Sequence, residues 1–196
     1  MSEELLRIVQ NVNRLAALQR VGLLDTPPEE TFDRLTSLAR RILNAPVALV
    51  SLVDGDRQFF KSCAGLREPW LSRRETPLSH SFCQHVVALG APLVVADARR
   101  HPLVWSNLGI EELGIVAYAG LPLATSDGHT IGSFCVTDSE PRTWTWDEIE
   151  ILKDLAAIAM GDIELRWLAR QADDARAQAE ARVRALERQL LTETAR

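Results

Sequence analysis

Between Thr145 and Arg196 the chain contains no proline and one glycine, Gly161. A stretch of about 50 residues without a breaker reads as a single helix, roughly 75 Å long at about 1.5 Å per residue. Its start is well marked. Thr145 and Glu148 have the spacing of a capping box, and Trp144 and Ile149 that of a hydrophobic staple. The rest of the chain can make a compact body only about 30–40 Å across, so the far part of this helix has to project. There, Leu168, Ala172, Ala175, Ala179, Val183, Leu186, Leu190 and Thr194 advance by 4, 3, 4, 4, 3, 4 and 4 residues. This 11-residue repeat fits a nearly straight or slightly right-handed coiled coil. A free helix this long and poor in large apolar residues is marginal without a partner. The expectation is a parallel homodimer, with residues 167–196 as its coiled coil.

Charge and composition exclude several classes of function. The formal net charge is −5, which provides no basic field to gather nucleic acid or anionic lipid. Of the 22 basic residues only Lys61 and Lys153 are lysines, a bias that reads as genome composition. Three cysteines, far apart, make no disulfide framework. The start, MSEELLRIVQ, is acidic where a signal peptide is basic. No apolar run approaches the roughly 20 residues of a membrane span. The expectation is a soluble, cytoplasmic protein that neither inserts into a membrane nor binds nucleic acid.

The remaining elements follow from periodicity and punctuation. Leu5, Ile8, Val9, Val12 and Leu15 recur at helical spacing up to Gly22, predicting an N-terminal helix over residues 1–22. In "DTPPEE", Thr26 is placed to cap a second helix, with Pro27 at its first position and Glu29 closing the box. That helix continues through Phe32, Leu35, Leu38 and Ile42 to Asn44 and Pro46. "VALVSLV" (47–53) and "RQFFKSC" (57–63) read as strands joined by an Asp-Gly-Asp turn. Thr76-Pro77 is expected to open the next helix. "PLVVAD" (92–97) reads as a strand, and "IVAYAGLPLA" (115–124) and "TIGSFCVTD" (130–138) as a second hairpin.

"SHSFCQHVV" (79–87) places His80, Cys83 and His85 within six positions. At about 100° per residue, Cys83 and His85 face opposite ways on a helix, while His80 lies one turn from Cys83. No second Cys or His pair is near enough to complete a four-ligand zinc site, so no metal is expected. Cys83 sits at the edge of the stripe of Phe82, Val86 and Leu89, as a packed cysteine does. A redox role stays open because His80 is one turn back. No glycine-rich phosphate loop or nucleophile elbow occurs, and the acidic residues have turn or capping roles. No catalytic residues and no cofactor are assigned.

Taken in order, "RLAALQRVGLLDTPPEETFDRLTSLA", "VALVSLVDGDRQFFKS", "ETPLSHSFCQHVV", "PLVVADARRHP", "YAGLPLATSDGHTIGSFCVTDSEPR" and "WDEIEILKDLA" resemble a GAF domain of the kind found N-terminal in bacterial signalling proteins. The resemblance covers roughly residues 10–168. It implies an α+β fold: a twisted antiparallel sheet of about six strands, helices on one face, a small-molecule pocket on the other. The domain is bounded at residues 23–166. The sequence departs from the defined ligand subclasses. Bilin binders carry adjacent Cys-His, whereas Gln84 separates Cys83 from His85. The Asn-Lys-Phe-Asp-Glu type motif of cyclic-nucleotide binders does not occur. Members that reduce free methionine sulfoxide place their cysteines in other segments. The axial His of haem binders has only His85 or His101 as candidates. The sequence therefore assigns neither a ligand nor the absence of one.

Strand alternation locates the expected pocket. With Phe134 and Val136 facing the helices, Ser133 and Cys135 point to the pocket, and so does Ser51 between Leu49 and Val53. Tyr118, Trp105 and Cys83 are expected to complete its lining, as aromatic walls with a few polar groups suit a small organic ligand. The tail resembles the linker that runs into a GGDEF diguanylate cyclase, which makes cyclic di-GMP from GTP. A sensor histidine kinase and a stand-alone ligand-binding or redox-sensing protein are the alternatives.

Overall fold

The structure is a computed structural model that describes residues 3–194, with side chains as far as Arg184. Leu186 and Leu190 of the expected coiled coil fall outside the described side chains. The chain begins with two short helices, α1 (Glu3–Val9) and α2 (Val12–Val21), not one. Asn11 interrupts the pattern: its side chain accepts from the amides of Asn13 and Arg14 and caps α2. The buried Arg14 guanidinium then donates to the carbonyl of Val9, at the end of α1, and to that of Val53 at 2.7 Å. Burial lowers Arg14 to about 10. The break sends Leu5 and Val9 to one side of the sheet and Ala17, Leu18 and Val21 to the other. Ile8 and Val12, which continuous periodicity placed in a core, are exposed.

α3 (Glu30–Ile42) starts later than "DTPPEE" suggests. Glu29 is its N-cap residue and makes no side-chain cap. Thr26 instead donates to the Leu23 carbonyl at 2.8 Å and accepts from Lys61 at 2.6 Å. Strands β1 (Val47–Val53) and β2 (Arg57–Ala64) form the first hairpin. After the single turn α4 (Trp70–Arg73) comes a short strand, β3 (Glu75–Pro77), where a helix start was expected. A 3-10 turn (Leu78–His80) then leads into α5 (Cys83–Leu89). Next come β4 (Leu93–Val95), α6 (Gly109–Glu112), and the hairpin of β5 (Ala117–Ala124) with β6 (Thr130–Asp138). The last element is α7 (Trp146–Thr194), one helix of 49 residues opened by the expected Thr145–Glu148 capping box.

The six strands form one antiparallel sheet in the order β3-β2-β1-β6-β5-β4. On one face α2, α3 and α7 bury Val50, Leu52, Leu121, Phe134 and Val136. On the other, α1 and α5 cover Leu49, Val53, Tyr118 and Cys135. Alternation therefore assigned the faces of β6 correctly. In α7 the core positions are Leu152, Leu155, Ala156, Ala159, Met160 and Ile163, whereas Ile158 is 55% exposed.

A bulge in β2 aims a charge at the helical face. Val50 pairs with Ser62 and Ser51 with Phe60, which leaves Lys61 as the extra residue. Its buried ammonium donates to Thr26, to the Pro27 carbonyl at 2.8 Å and to Glu29. Burial, then the Arg74 guanidinium, lower it to about 8. Glu29 also pairs with Arg166 of α7, and Arg170 donates to the carbonyl of Val21 at 3.2 Å. These contacts pin α7 to the domain where it leaves the sheet.

Candidate functional site

Three neighbouring strands and one helix converge on a buried cluster of two thiols and three hydroxyls. β1 contributes Ser51, β5 Tyr118, and β6 Ser133 and Cys135; α5 lowers Cys83 onto them. All five are at most 2% exposed. Ser51 pairs directly with Ser133 across β1 and β6, and Cys135 pairs with Gly120 across β6 and β5. The sulfurs of Cys83 and Cys135 lie 3.7 Å apart. The Tyr118 hydroxyl donates to Cys83 Sγ at 3.3 Å and lies 3.3 Å from Ser133 Oγ. The Phe82 ring packs on Tyr118, with centroids 5.3 Å apart.

Tyr118 reaches Cys83 because residue 120 is glycine. The two lie on the same face of β5, and the tyrosine ring occupies the place of a side chain at 120. A Cβ there would stand 2.6 Å from Tyr118 Cζ and 2.7 Å from Cε1, and closer still to the hydroxyl. A glycine inside a strand is the signal that could have pointed to this close approach.

The electrostatics of the cluster are asymmetric. Burial pushes the Cys83 thiol up, but hydrogen bonds from Cys135, Tyr118, Ser51 and Ser133 outweigh it, and the thiol lies below its ordinary value. Cys135 moves the other way: its hydrogen bond to Cys83 and its burial hold it well above the ordinary value. Burial, then the neighbouring sulfurs, also raise Tyr118. Ser51 Oγ makes no hydrogen bond to the protonated thiol, yet it sits where it would donate to a thiolate. Of the two sulfurs, Cys83 is the one that receives the Tyr118 hydroxyl. Among the described residues no carboxylate or imidazole hydrogen-bonds to these groups, so no nucleophile–base pair is assembled.

Trp105 does not belong to the site. It is 65% exposed, on the loop between β4 and α6, because a loop aromatic has no strand alternation to aim it. The histidines separate as well. His80 is on the 3-10 turn, not on the helix of Cys83; its Nδ1 lies 3.0 Å from Ser79 Oγ, its Nε2 3.1 Å from Glu112, and its ring on Trp70. His85 is half-buried, and burial, then His101, lower its pKa. Beside the cluster an open groove of about 560 Å³ runs between α1, α5 and the turn after β5, past Arg7, Asn11, Val87 and His129; none of the five cluster residues lines it.

A six-stranded antiparallel sheet, with long helices on one face and short ones closed over the other, defines an α+β domain. The comparisons are specific. A model of the GAF domain family matches residues 27–163. The chain belongs to the GAF domain family. It is 34% identical over 153 residues to a cyclic di-GMP phosphodiesterase of Pseudomonas aeruginosa, a match that covers 77% of this chain and 25% of that protein. The chain thus spans about a quarter of that relative's length. The GAF domain of a phosphoenolpyruvate-protein phosphotransferase from Coxiella burnetii superposes with a TM-score of 0.60 at 17% identity, over 84% of this chain and 98% of that one. A domain of a two-component sensor histidine kinase from Sinorhizobium meliloti gives 0.56 at 21%, over 76% and 99%. These two carry the fold alone. Among the described residues no helix is long and apolar enough to cross a membrane.

Proposed function

We propose that the chain is the regulatory sensory domain of a bacterial signalling protein, pairing with a second copy through α7. In this reading α7 relays the state of the domain to an enzyme of cyclic di-GMP turnover, either a cyclase that makes it from GTP or a phosphodiesterase that hydrolyses it. The input is a small molecule received on the α5 face. The reading of the output rests on the likeness to the Pseudomonas phosphodiesterase, in which the matched region is 25% of the length.

The observation that carries the relay is that α7 is apolar on two opposite faces. The core residues Leu152, Leu155, Ala159 and Ile163 occupy one face. Ile158, Leu165, Leu168 and Val183 are 55%, 69%, 53% and 54% exposed. Together with the exposed Ala172, Ala175 and Ala179, they fall within an arc of about 100°, centred about 180° from the core-facing stripe. A helix apolar all along its solvent side is a helix awaiting a partner. A second copy in parallel meets the stripe with itself. The same rod is packed on the sheet, so a shift of α7 inside the domain appears at its far end.

Two experiments test this. Leu165→Glu and Leu168→Glu should each halve the mass found by light scattering, with the far-ultraviolet circular dichroism otherwise intact; an unchanged mass rejects the interface. In the natural full-length protein, inserting seven residues after Ala179 turns the downstream part to within about 20° of its original facing, and inserting two rotates it by about 200°. Formation and hydrolysis of cyclic di-GMP are then measured. The first insertion should keep regulated turnover and the second abolish or invert it, while equal behaviour leaves the helix a tether.

A further inference from the structure

The thiol pair under α5 has no part in the relay, and packing alone does not explain its surroundings. An apolar core would accommodate two cysteines without help. Here three hydroxyls are buried with them, one of which, Ser51 Oγ, is left without a partner. That arrangement is costly as structure, since a buried hydroxyl without a partner loses its hydrogen bonds to water and gains none. It is well suited to holding charge on one sulfur. We propose that Cys83 and Cys135 are a reversible dithiol–disulfide pair that hydrogen peroxide oxidises.

The sulfurs start 3.7 Å apart, and a disulfide needs about 2.05 Å. The gap closes by a small movement of α5, a helix of 7 residues bounded by the 3-10 turn before it and by Gly90, at φ 60°, after it. Position excludes the third cysteine as a partner of Cys135. Cys63 and Cys135 both lie opposite Leu49, on either side of β1. Two strand spacings separate them by about 9–10 Å, beyond the roughly 7 Å that a bridge between α-carbons spans. Burial also raises the Cys63 thiol, the first of its influences, whereas Cys83 Sγ has the Tyr118 hydroxyl and Cys135 against it.

The chemistry balances in two steps. The Cys83 thiolate attacks one oxygen of hydrogen peroxide, the O–O bond breaks, and with one proton taken up the products are the Cys83 sulfenic acid and water. The Cys135 thiol, held protonated beside it, then attacks the Cys83 sulfur, forming the S–S bond. Its proton leaves with the displaced hydroxide as a second water. Two electrons pass from the two sulfurs to the peroxide. A dithiol reductant reverses the change by thiol–disulfide exchange.

The test is intact-mass and peptide mass spectrometry of the full chain under native conditions, before and after hydrogen peroxide, with thiols capped on quenching. The expected result is a loss of two hydrogens per chain, a cross-linked peptide joining Cys83 to Cys135, and restoration by dithiothreitol. Cys63→Ser should behave as the wild type, and Cys135→Ser should yield no cross-link. If Cys135→Ser does not fold, the wild type and Cys63→Ser still decide the matter. Uncapped buried thiols with no loss of mass, a bridge to Cys63, or bridges only between chains would each overturn the proposal.

Discussion

Replacing Gly120 with alanine asks whether Tyr118 really lies across the strand onto Cys83. The backbone at 120 permits alanine, so any cost comes from space. The added Cβ would stand 2.6 and 2.7 Å from two ring carbons of Tyr118, where ordinary contact is 3.4–4 Å. The ring has nowhere to go, because it is 1% exposed and packed against Phe82 and Cys83. Overpacking of this kind costs about 1–3 kcal/mol. Displacing the ring also weakens the hydroxyl's contacts to Cys83 and Ser133, at about 1 kcal/mol each. The entropy alanine removes from the unfolded chain returns about 0.5–1 kcal/mol. The net cost is about 2–3 kcal/mol. With a urea slope of about 2 kcal/mol/M, the unfolding midpoint should fall by about 1 M. Repeating the change in a Tyr118→Leu background should cost about 0.5 kcal/mol or less, since the obstructing ring is gone. Equal penalties in both backgrounds would refute the close-approach argument, and with it the placement of the tyrosine.

Other outcomes follow from the same geometry. Gly132→Ala drives a Cβ to 3.0 Å from Leu52 Cα, and closer to the Ser51 carbonyl; backbone cannot retreat, so a loss above about 3 kcal/mol is expected. Gly161→Ala meets nothing within 4 Å on helix α7 and should stabilise by about 0.5–1 kcal/mol; a melting-temperature comparison of the two reads both at once. Lys61→Met removes the donors to Thr26, the Pro27 carbonyl and Glu29 and should cost about 2 kcal/mol in urea unfolding; a change under about 0.5 kcal/mol would mean those acceptors rehydrate freely. Glu148 is pushed up by burial, but the Thr145 backbone amide, Arg142 and the Thr145 hydroxyl outweigh this and its pKa is lowered. Its folded value lies below its unfolded one, so its contribution is present above pH 4.5 or so and is lost as pH falls through the lowered value. Glu148→Gln should therefore cost about 1 kcal/mol at pH 7 and nothing at strongly acid pH, as acid titrations of both proteins followed by circular dichroism would reveal.

Much of the scaffold was legible because it rests on local rules. The strands around Asp54-Gly55-Asp56, the capping box at Thr145 and the unbroken helix as far as Thr194 depend on neighbours in sequence, and each appears as read. Alternation along β6 separated Phe134 and Val136 from Ser133 and Cys135 because a strand has only two faces. The failures share a different cause. The pattern of Leu5, Val9 and Leu15 did not reveal that Asn11 stops one helix and starts another, because the reason is the Arg14 guanidinium bridging to Val53, 39 residues away. Thr26 has a cap's chemistry, but Lys61 competes for its oxygen from a bulge in another element.

For the site, the sequence determined which residue types were available and which way most of them point: Ser51, Ser133 and Cys135 to one side of the sheet, Tyr118 with them. Only the tertiary structure decided that α5 sets Cys83 within 3.7 Å of Cys135, that Trp105 stays outside, and that Ile158 joins the exposed stripe of α7 instead of the core. Direction along a strand or helix is a property of the local backbone, with a period that can be counted. Distance between elements is set by how side chains of unequal size fill the space between sheet and helix, as Gly120 makes room for the Tyr118 ring, and no count along the chain contains it.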